Sequence, residues 1–549
     1  MAPPRAGRGG RRTPGGLALL RALVSHFPYG LHYTDSPDGL PTALDGFCDK
    51  TTGMRFWPRL GLRGRGLWGR GTPPRDVANM SASARAGGQA SPEAFLAELE
   101  AVRPGIHLGL GKSLELLARV GCPQKTLRVV HVAGTNGKGS VCAMVAAELR
   151  AAGRRVGVYN SPHLFHWSDA VLIDGEPDEA GWRVSMGAIQ AALGDVDGAR
   201  GRYTAFEASC AAMWLQLATA KVDYAVIEAG VGGLRDATNV CDTVSASVLT
   251  SVGLDHQQLL GDTIAKIAQD KCGIFKPRCP AVVSSVVPAE AMSVARATAA
   301  HQDSPLIVAP PATRVHADGA GCGQGRLRWR GADSGPGGVG AELEFELRLM
   351  GDVQLINAGV AAGVLRQLQR TDISLTDDHL RQGLATARWP GRMEPSQWLG
   401  TDMLLDGAHN PEAALGLGAY MDTLRVRKEV AGVHWIIGMS AGKDVEGVVR
   451  GLVRPGDVVG CVPVESLPQR YETASPSRIL QAAQAAGATG REHPCLRDAL
   501  VFAVERCGGT GGGIGGGTGG GIGGGTGVQL VLCGSLHLVA DFRRLKASE

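Results

Sequence analysis

The sequence predicts an α/β protein: a larger domain with a mostly parallel sheet and a phosphate loop, followed by a smaller α/β domain. Three observations predict it. From about residue 91 onward, apolar runs of strand length alternate with helix-period segments, the pattern of a parallel sheet covered by helices. A glycine-rich turn with a lysine, "HVAGTNGKGS", joins an apolar run to a helical one at residues 131–140. The 549 residues also exceed the size at which a single hydrophobic core stops growing.

Residues 1–88 differ from the rest. They hold 12 arginines and one lysine against five aspartates and no glutamate, with the first acid at Asp35. An Arg-rich, acid-poor leader of this kind is expected to address the chain to a mitochondrial or plastid matrix, with "GLALLRALVSHF" as its amphipathic turn, the plainer alternative being a disordered extension. If translation starts at Met54 or Met80, the protein is expected in the cytoplasm instead. Over the whole chain, 56 Lys and Arg face 52 Asp and Glu, a net charge of +4 too small to argue for nucleic acid. The 12 cysteines run from Cys48 to Cys533 without a C-x-x-C pair, which suits a reducing compartment better than a zinc site or a disulfide framework. No apolar run approaches the roughly 18 to 20 residues of a membrane helix. Small-molecule substrates and a monomeric state are expected.

The larger domain is predicted over 89–392. Helical periodicity through "SPEAFLAELE" and "SLELLARV" precedes the strand "LRVVHVA". Strands "RRVGVYN", "VDYAVIEAG", "SASVLTSVG" and "CPAVVSSV" then alternate with helices "FEASCAAMWLQLA" and "TIAKIAQDKCGI". The aperiodic "ARWPGRME" places a hinge near Met393. The smaller domain, 393–549, runs through "DMLLDGAHNPEAALGLGAYM", "GVHWIIGM", "GDVVGCVPV" and "RILQAAQAAG" to "VQLVLCGSLHLVADFRR". Its insertion at 508–527 is almost pure glycine with Thr and Ile, which cannot offset its ordering entropy by burial and reads as a surface loop.

A phosphate cradle needs inward-facing backbone N–H groups, the positive end of a helix and a lysine that reaches the outer phosphates. Gly134, Thr135, Asn136, Gly137, Lys138, Gly139 and Ser140 supply all three, for ATP or GTP. The match departs from the standard pattern in one place: Gly139 follows Lys138 where Ser or Thr is usual, and the hydroxyl arrives at Ser140.

At this loop and its downstream companions the sequence resembles the folylpolyglutamate synthase and dihydrofolate synthase family, ATP-dependent amide ligases of the Mur ligase superfamily. The resemblance covers about residues 91–549 and rests on ordered blocks: "HVAGTNGKGS", "SPHL", "TAFE", "EAGVGGLRDATN", "GLDHQQLLGDTIAKIAQDKCGIFKP", "WPGRME", "LDGAHNPEA" and "GSLHLV". The approach "IHLGLGKSLELLARVGCPQ" is similar to bifunctional bacterial-type members. The resemblance implies a Mur-ligase-like ATPase domain followed by a smaller Rossmann-like domain. It implies ligation of L-glutamate to dihydropteroate, to folate polyglutamates or to both, through an acyl phosphate, with release of ADP and phosphate.

The site follows residue by residue from the same resemblance. Ser161, Glu228 and His256 are expected to bind Mg²⁺. Lys271 is expected to be carbamylated and to serve a second metal, with Lys138, Lys271 and His409 catalytic and a monovalent cation as a further cofactor. Asn357, Arg392 and Asp406 are expected on ATP. For the pterin acid the resemblance points to Leu108, Gly109 and Leu110, to Thr204, Phe206 and Glu207, and to Asp236, Ala237 and Thr238, with His409 toward glutamate. Each has a plainer alternative: Glu228 a solvated strand end, Lys271 a surface lysine, Phe206 a core residue, Arg392 a linker charge. Departures from the family pattern at Ala170, at Leu234–Arg235 and at Val353 point to altered substrate specificity. They leave room for a diverged folate-binding protein without catalysis, or a Mur-type ligase for another carboxylate.

Overall fold

The computed structural model describes residues 90–163, 166–194, 201–315, 327–330, 342–467, 471–507 and 527–549. The leader and nearly all of the glycine tract, with the expectations placed on them, lie outside the described residues.

The first sheet holds β1 (Val129–Ala133), β2 (Val156–Tyr159), β3 (Val171–Ile173), β4 (Glu176–Pro177), β5 (Tyr224–Glu228), β6 (Ala246–Leu249), β7 (Ala281–Ser284) and β8 (Leu306–Ala309), in the order β4-β3-β2-β5-β1-β6-β7-β8. The six strands from β2 to β8 in that order pair in parallel, while β3 and β4 run antiparallel at one edge. Strands β1, β2, β5, β6 and β7 are buried at every position. Parallel strands covered on both faces need such near-continuous apolar runs. Val132 of β1 pairs with Glu228 on one side and Val248 on the other, so the C-terminal ends of β5, β1 and β6 stand side by side. Ligands of open α/β sheets bind at that edge.

One face of the sheet is covered by helices Lys138–Ala151 and Val353–Gln369, which share a core with β1, β5, β6 and β7. The other carries Pro92–Val102, Glu179–Leu193 and Ala205–Thr219. A three-stranded antiparallel sheet, β9 (Thr313–Arg314), β10 (Leu327–Arg330) and β11 (Glu342–Phe345), was not foreseen. Its strands are short and alternate charged with apolar residues inside Gly-rich sequence; Trp329, Leu343 and Phe345 are the residues it buries.

After Met393 the chain enters a second sheet, β12 (Glu394–Trp398), β13 (Thr401–Leu405), β14 (Gly432–Ile437), β15 (Val458–Cys461), β16 (Thr489–Glu492) and β17 (Val528–Cys533), ordered β12-β13-β17-β14-β15-β16. Only β12 is antiparallel. Strand alternation divides β14 between two cores: Val433, Trp435 and Ile437 face one, Ile436 the other. Among the described residues no helix is long and apolar enough to cross a membrane, and the ten described cysteines are free thiols.

Candidate active site

The phosphate loop follows β1. Gly137, at φ 83°, caps helix Lys138–Ala151, so Lys138 opens that helix at its positive end. The loop is held from the end of β6: Asn136 N–H donates to Ser251 Oγ at 2.8 Å, Thr250 Oγ1 donates to Asn136 O at 2.6 Å, and Thr135 N–H donates to Ser251 O at 3.0 Å. These contacts use Thr250 and Ser251, just beyond β6, to set the shape of the loop. The missing hydroxyl at Gly139 has a steric reason. A Cβ there would lie 2.5 Å from Trp389 Cζ2, so the indole of the "WPGRME" block occupies the space. Asn357 packs against Gly137 and donates to Gln354 Oε1 at 2.9 Å, and Gln354 reaches Ser140 Oγ at 3.4 Å.

Neighbouring strand ends bring further residues to the loop. Ser161, two residues beyond β2, donates its N–H to Glu228 Oε2 at 3.4 Å. Glu228 Oε1 stands 3.7 Å from Lys138 Nζ. Burial pushes the Glu228 carboxyl up, against the pull of Lys138, the Ser161 N–H and Arg392. Lys271 lies in helix Ile264–Cys272 and is 4% exposed, so it is no surface lysine; its Nζ donates to Gly134 O at 2.9 Å. Burial, helped by the ammonium of Lys138, lowers its pKa to about 7. His256, at φ 51° beyond β6, keeps 36% of its side chain exposed, and partial desolvation shifts its imidazole down, which Asp255 partly opposes.

The second sheet faces this edge. Burial brings His409 to about 3, with Lys443 adding to the effect, and its Nδ1 lies 2.8 Å from Gly407 O. Arg392 acts electrostatically on Glu228, His409 and Asp406. It is therefore not an idle linker charge. The Asp406 oxygens accept the N–H groups of Met393 and Ala408, both within 2.9 Å, and so tie the crossover between sheets.

Some of the residues that meet here were not anticipated. Asp255 accepts from Lys443 Nζ at 3.2 Å, and although burial opposes its ionisation, His256 and Lys443 hold its pKa at about 2. Asn136 Nδ2 donates to Glu412 Oε2 at 2.8 Å, and Asn410 Nδ2 donates to Asn136 Oδ1 at 3.0 Å. The signal was present, since Asp255 adjoins His256 in "GLDH" and Asn410 and Glu412 belong to "HNPEA". Nothing in one dimension pairs them.

The segments expected on the pterin side converge on the loop 229–238. Gly109 N–H donates to Arg235 O at 2.8 Å, beside Leu108 and Leu110. Phe206 is half-buried, its Cζ 2.7 Å from where a Cβ on Gly230 would stand. Asp236 accepts from Val231 N–H at 2.9 Å and from Thr238 N–H at 3.0 Å, with Ala237 buried between. Thr204 and Glu207 form a capping box on helix Ala205–Thr219, in which Glu207 Oε2 takes the Thr204 N–H at 2.8 Å. The Glu207 carboxylate is thus engaged in starting its helix, a use that "TAFE" also encodes. Arg235 bonds to Asp270 Oδ2 at 3.1 Å, next to Lys271.

Among the described residues no three His, Cys, Asp or Glu are placed to hold a metal. Ser161 and Glu228, which meet beside Lys138, are hard oxygen donors of the kind Mg²⁺ takes together with waters and phosphate oxygens, whereas His256 has its nearest charged partner in Asp255, at 3.9 Å. The buried Glu228 carboxylate faces the cation of Lys138, which shows a site that demands positive charge.

A phosphate loop on a parallel sheet, joined through Asn136 and Asp255 to a second α/β sheet, is the arrangement of the ATP-dependent Mur-type ligases. Residues 132–365 match the Mur ligase middle domain and residues 393–501 the dihydrofolate synthetase C-terminal domain. The folylpolyglutamate synthase of Lacticaseibacillus casei is 35% identical over 371 residues, 66% of this chain and 82% of that protein. The dihydrofolate synthase/folylpolyglutamate synthase of Bacillus subtilis is 31% identical over 63% of this chain and 79% of its own length. Escherichia coli FolC in complex with DHPP and ADP superposes with a TM-score of 0.67 at 27% identity, covering 84% of this chain and 98% of that one. The Mycobacterium tuberculosis folylpolyglutamate synthase complexed with ADP and AMPPCP gives 0.66 at 26% identity, covering 83% and 98%. The chain belongs to the folylpolyglutamate synthase and dihydrofolate synthase family.

Proposed function

We propose that this protein is an ADP-forming ligase that joins L-glutamate to a pterin-bearing carboxylic acid, dihydropteroate or a folate, within a central ATP-binding domain at 89–392 and a C-terminal domain at 393–549. The convergence of Lys138, Ser161, Glu228 and Lys271 at adjacent strand ends, faced by Arg392, His409 and Lys443, carries this reading. Residues 134–140 cradle the ATP phosphates, with Asn357, Arg392 and Asp406 on the nucleotide beside them. The substrate carboxylate attacks the γ-phosphorus and ADP leaves. The glutamate amine then attacks the resulting acyl phosphate, and phosphate and a proton leave. Lys138 and Arg392 keep positive charge on the transferring phosphoryl group. Ser161, Glu228 and His256 would hold Mg²⁺, which when bound would neutralise phosphate charge.

Lys271, whose amine at about pKa 7 is available in its free-base form near neutrality, is proposed to take up carbon dioxide as a carbamate, losing one proton. His409, neutral at working pH, lies toward the glutamate side. Leu108–Leu110, Phe206 and Asp236–Thr238 line the pterin side, with Thr204 and Glu207 fixing the helix that carries Phe206. The reading extends to a monovalent cation cofactor, a monomer and organellar import through the leader.

Lys138→Ala tests it. ADP release stimulated by glutamate plus dihydropteroate is expected to fall at least ~100-fold, as when a key phosphate or oxyanion contact is lost; turnover retained in the purified variant would reject the phosphate role. Parent protein that binds dihydropteroate without turning over ATP would instead indicate a folate-binding protein. Turnover only with another carboxylate would indicate a different Mur-type ligase.

A further inference from the structure

Strand β1 is valine and alanine except at one place. His131 sits in its middle, 2% exposed, three residues before the phosphate loop. A buried imidazole must satisfy its ring nitrogens, and Nε2 lies 2.9 Å from Thr238 Oγ1. The Thr238 hydroxyl has a single proton, and it faces Asp236 Oδ1, an acceptor. The hydroxyl therefore donates to Asp236 and accepts from His131, which fixes His131 as the Nε2–H tautomer. Asp236 in turn holds the N–H groups of Val231 and Thr238. One imidazole thus links the strand that carries the phosphate loop to the loop 229–238, against which Phe206 and Gly109 also pack. Burial keeps the ring neutral, its pKa at about 3, so the link persists at physiological pH.

We propose that His131 is a positioning residue that sets the pose of loop 229–238, and through it the affinity for the pterin-bearing acid, without touching ATP or the acid. The affinity claim rests on the ligase reading above; the claim about the loop does not. Two variants separate the donor from the bulk. His131→Leu fills the space without a donor, and His131→Gln restores an N–H at the reach of Nε2.

In the full-length protein, His131→Leu is expected to raise the KM for dihydropteroate about tenfold, the worth of one hydrogen bond into a charged acceptor network, with the KM for ATP within about twofold. His131→Gln is expected to recover most of the loss. Backbone hydrogen exchange over 229–238 is expected to quicken in His131→Leu and to return in His131→Gln, whether or not a pterin acid is the substrate. Should His131→Leu fail to fold, His131→Asn, whose amide ends short of Thr238, takes its place with the same expectations. Unchanged exchange over 229–238, or equal rises in both KM values, overturns the proposal. Quickened exchange with no pterin turnover in the parent protein would sink the ligase reading alone.

Discussion

Glu148 sits on the helix that leaves the phosphate loop, at 0% exposure, with neither carboxylate oxygen hydrogen-bonded. Burial pushes its carboxyl well above the ordinary range, which favours the neutral acid in the folded state. An acid with a raised folded pKa binds its proton more tightly folded than unfolded. Its contribution is therefore complete below the unfolded pKa and declines as pH rises toward the folded value, by about 1.4 kcal/mol per pH unit. Glu148→Gln removes that slope. The Tm of this variant is expected to exceed that of the parent increasingly from pH 5 to pH 7, as read by thermal melts; parallel curves would refute it. No sequence pattern marked Glu148, because a glutamate on an otherwise apolar helix reads as a solvated position until packing encloses it. Lys271 shows the same ambiguity: lysine statistics favour the surface, and only the close approach to Gly134 reveals it as buried.

Elements were more legible than residues. Strands β1, β2, β5, β6 and β7 announced themselves as short Val, Ile and Ala runs, and the parallel order followed from the helices between them. The sheet β9–β11 escaped because its strands are short, alternate charged with apolar residues and interrupt Gly-rich sequence. The hairpin joining β12 to β13 holds a correctable strain. Trp398 pairs with Thr401, leaving the two-residue turn Leu399–Gly400 at φ 47° and 79°. Such turns favour Asn or Asp followed by Gly, and leucine there is strained, with the left-handed region costing an L-residue roughly 1–2 kcal/mol. Leu399 is 64% exposed and gives up little packing on replacement. Leu399→Asn is expected to stabilise the second sheet by about 1 kcal/mol in urea titrations; a loss of stability would show that the leucine is held by contacts it lacks here.

At the scale of the molecule, the two sheets meet over the phosphate loop. Asn136 reaches Asn410 and Glu412, and Asp255 reaches Lys443. Burial pushes the Glu412 carboxyl up, and the Asn136 amide partly offsets that cost. Glu412→Ala is expected to loosen the contact between the sheets and raise the KM for ATP about threefold to tenfold, the range of one ordinary hydrogen bond. Steady-state kinetics with ATP varied would check this, and an unchanged KM would remove the contact from nucleotide binding. By itself the sequence determined the fold class, the place of the phosphate loop and the crossover near Met393, because periodicity, glycine spacing and strand-ending carboxylates are local properties of a chain. Only the tertiary structure decided which distant residues share a charge field, that Asp406 and Glu207 are held by backbone N–H groups, that Trp389 excludes a side chain at Gly139, and that His131 fastens the loop at Thr238. Burial and hydrogen-bond partnership depend on what packs against a residue from elsewhere in the chain, and no spacing along the sequence carries that information.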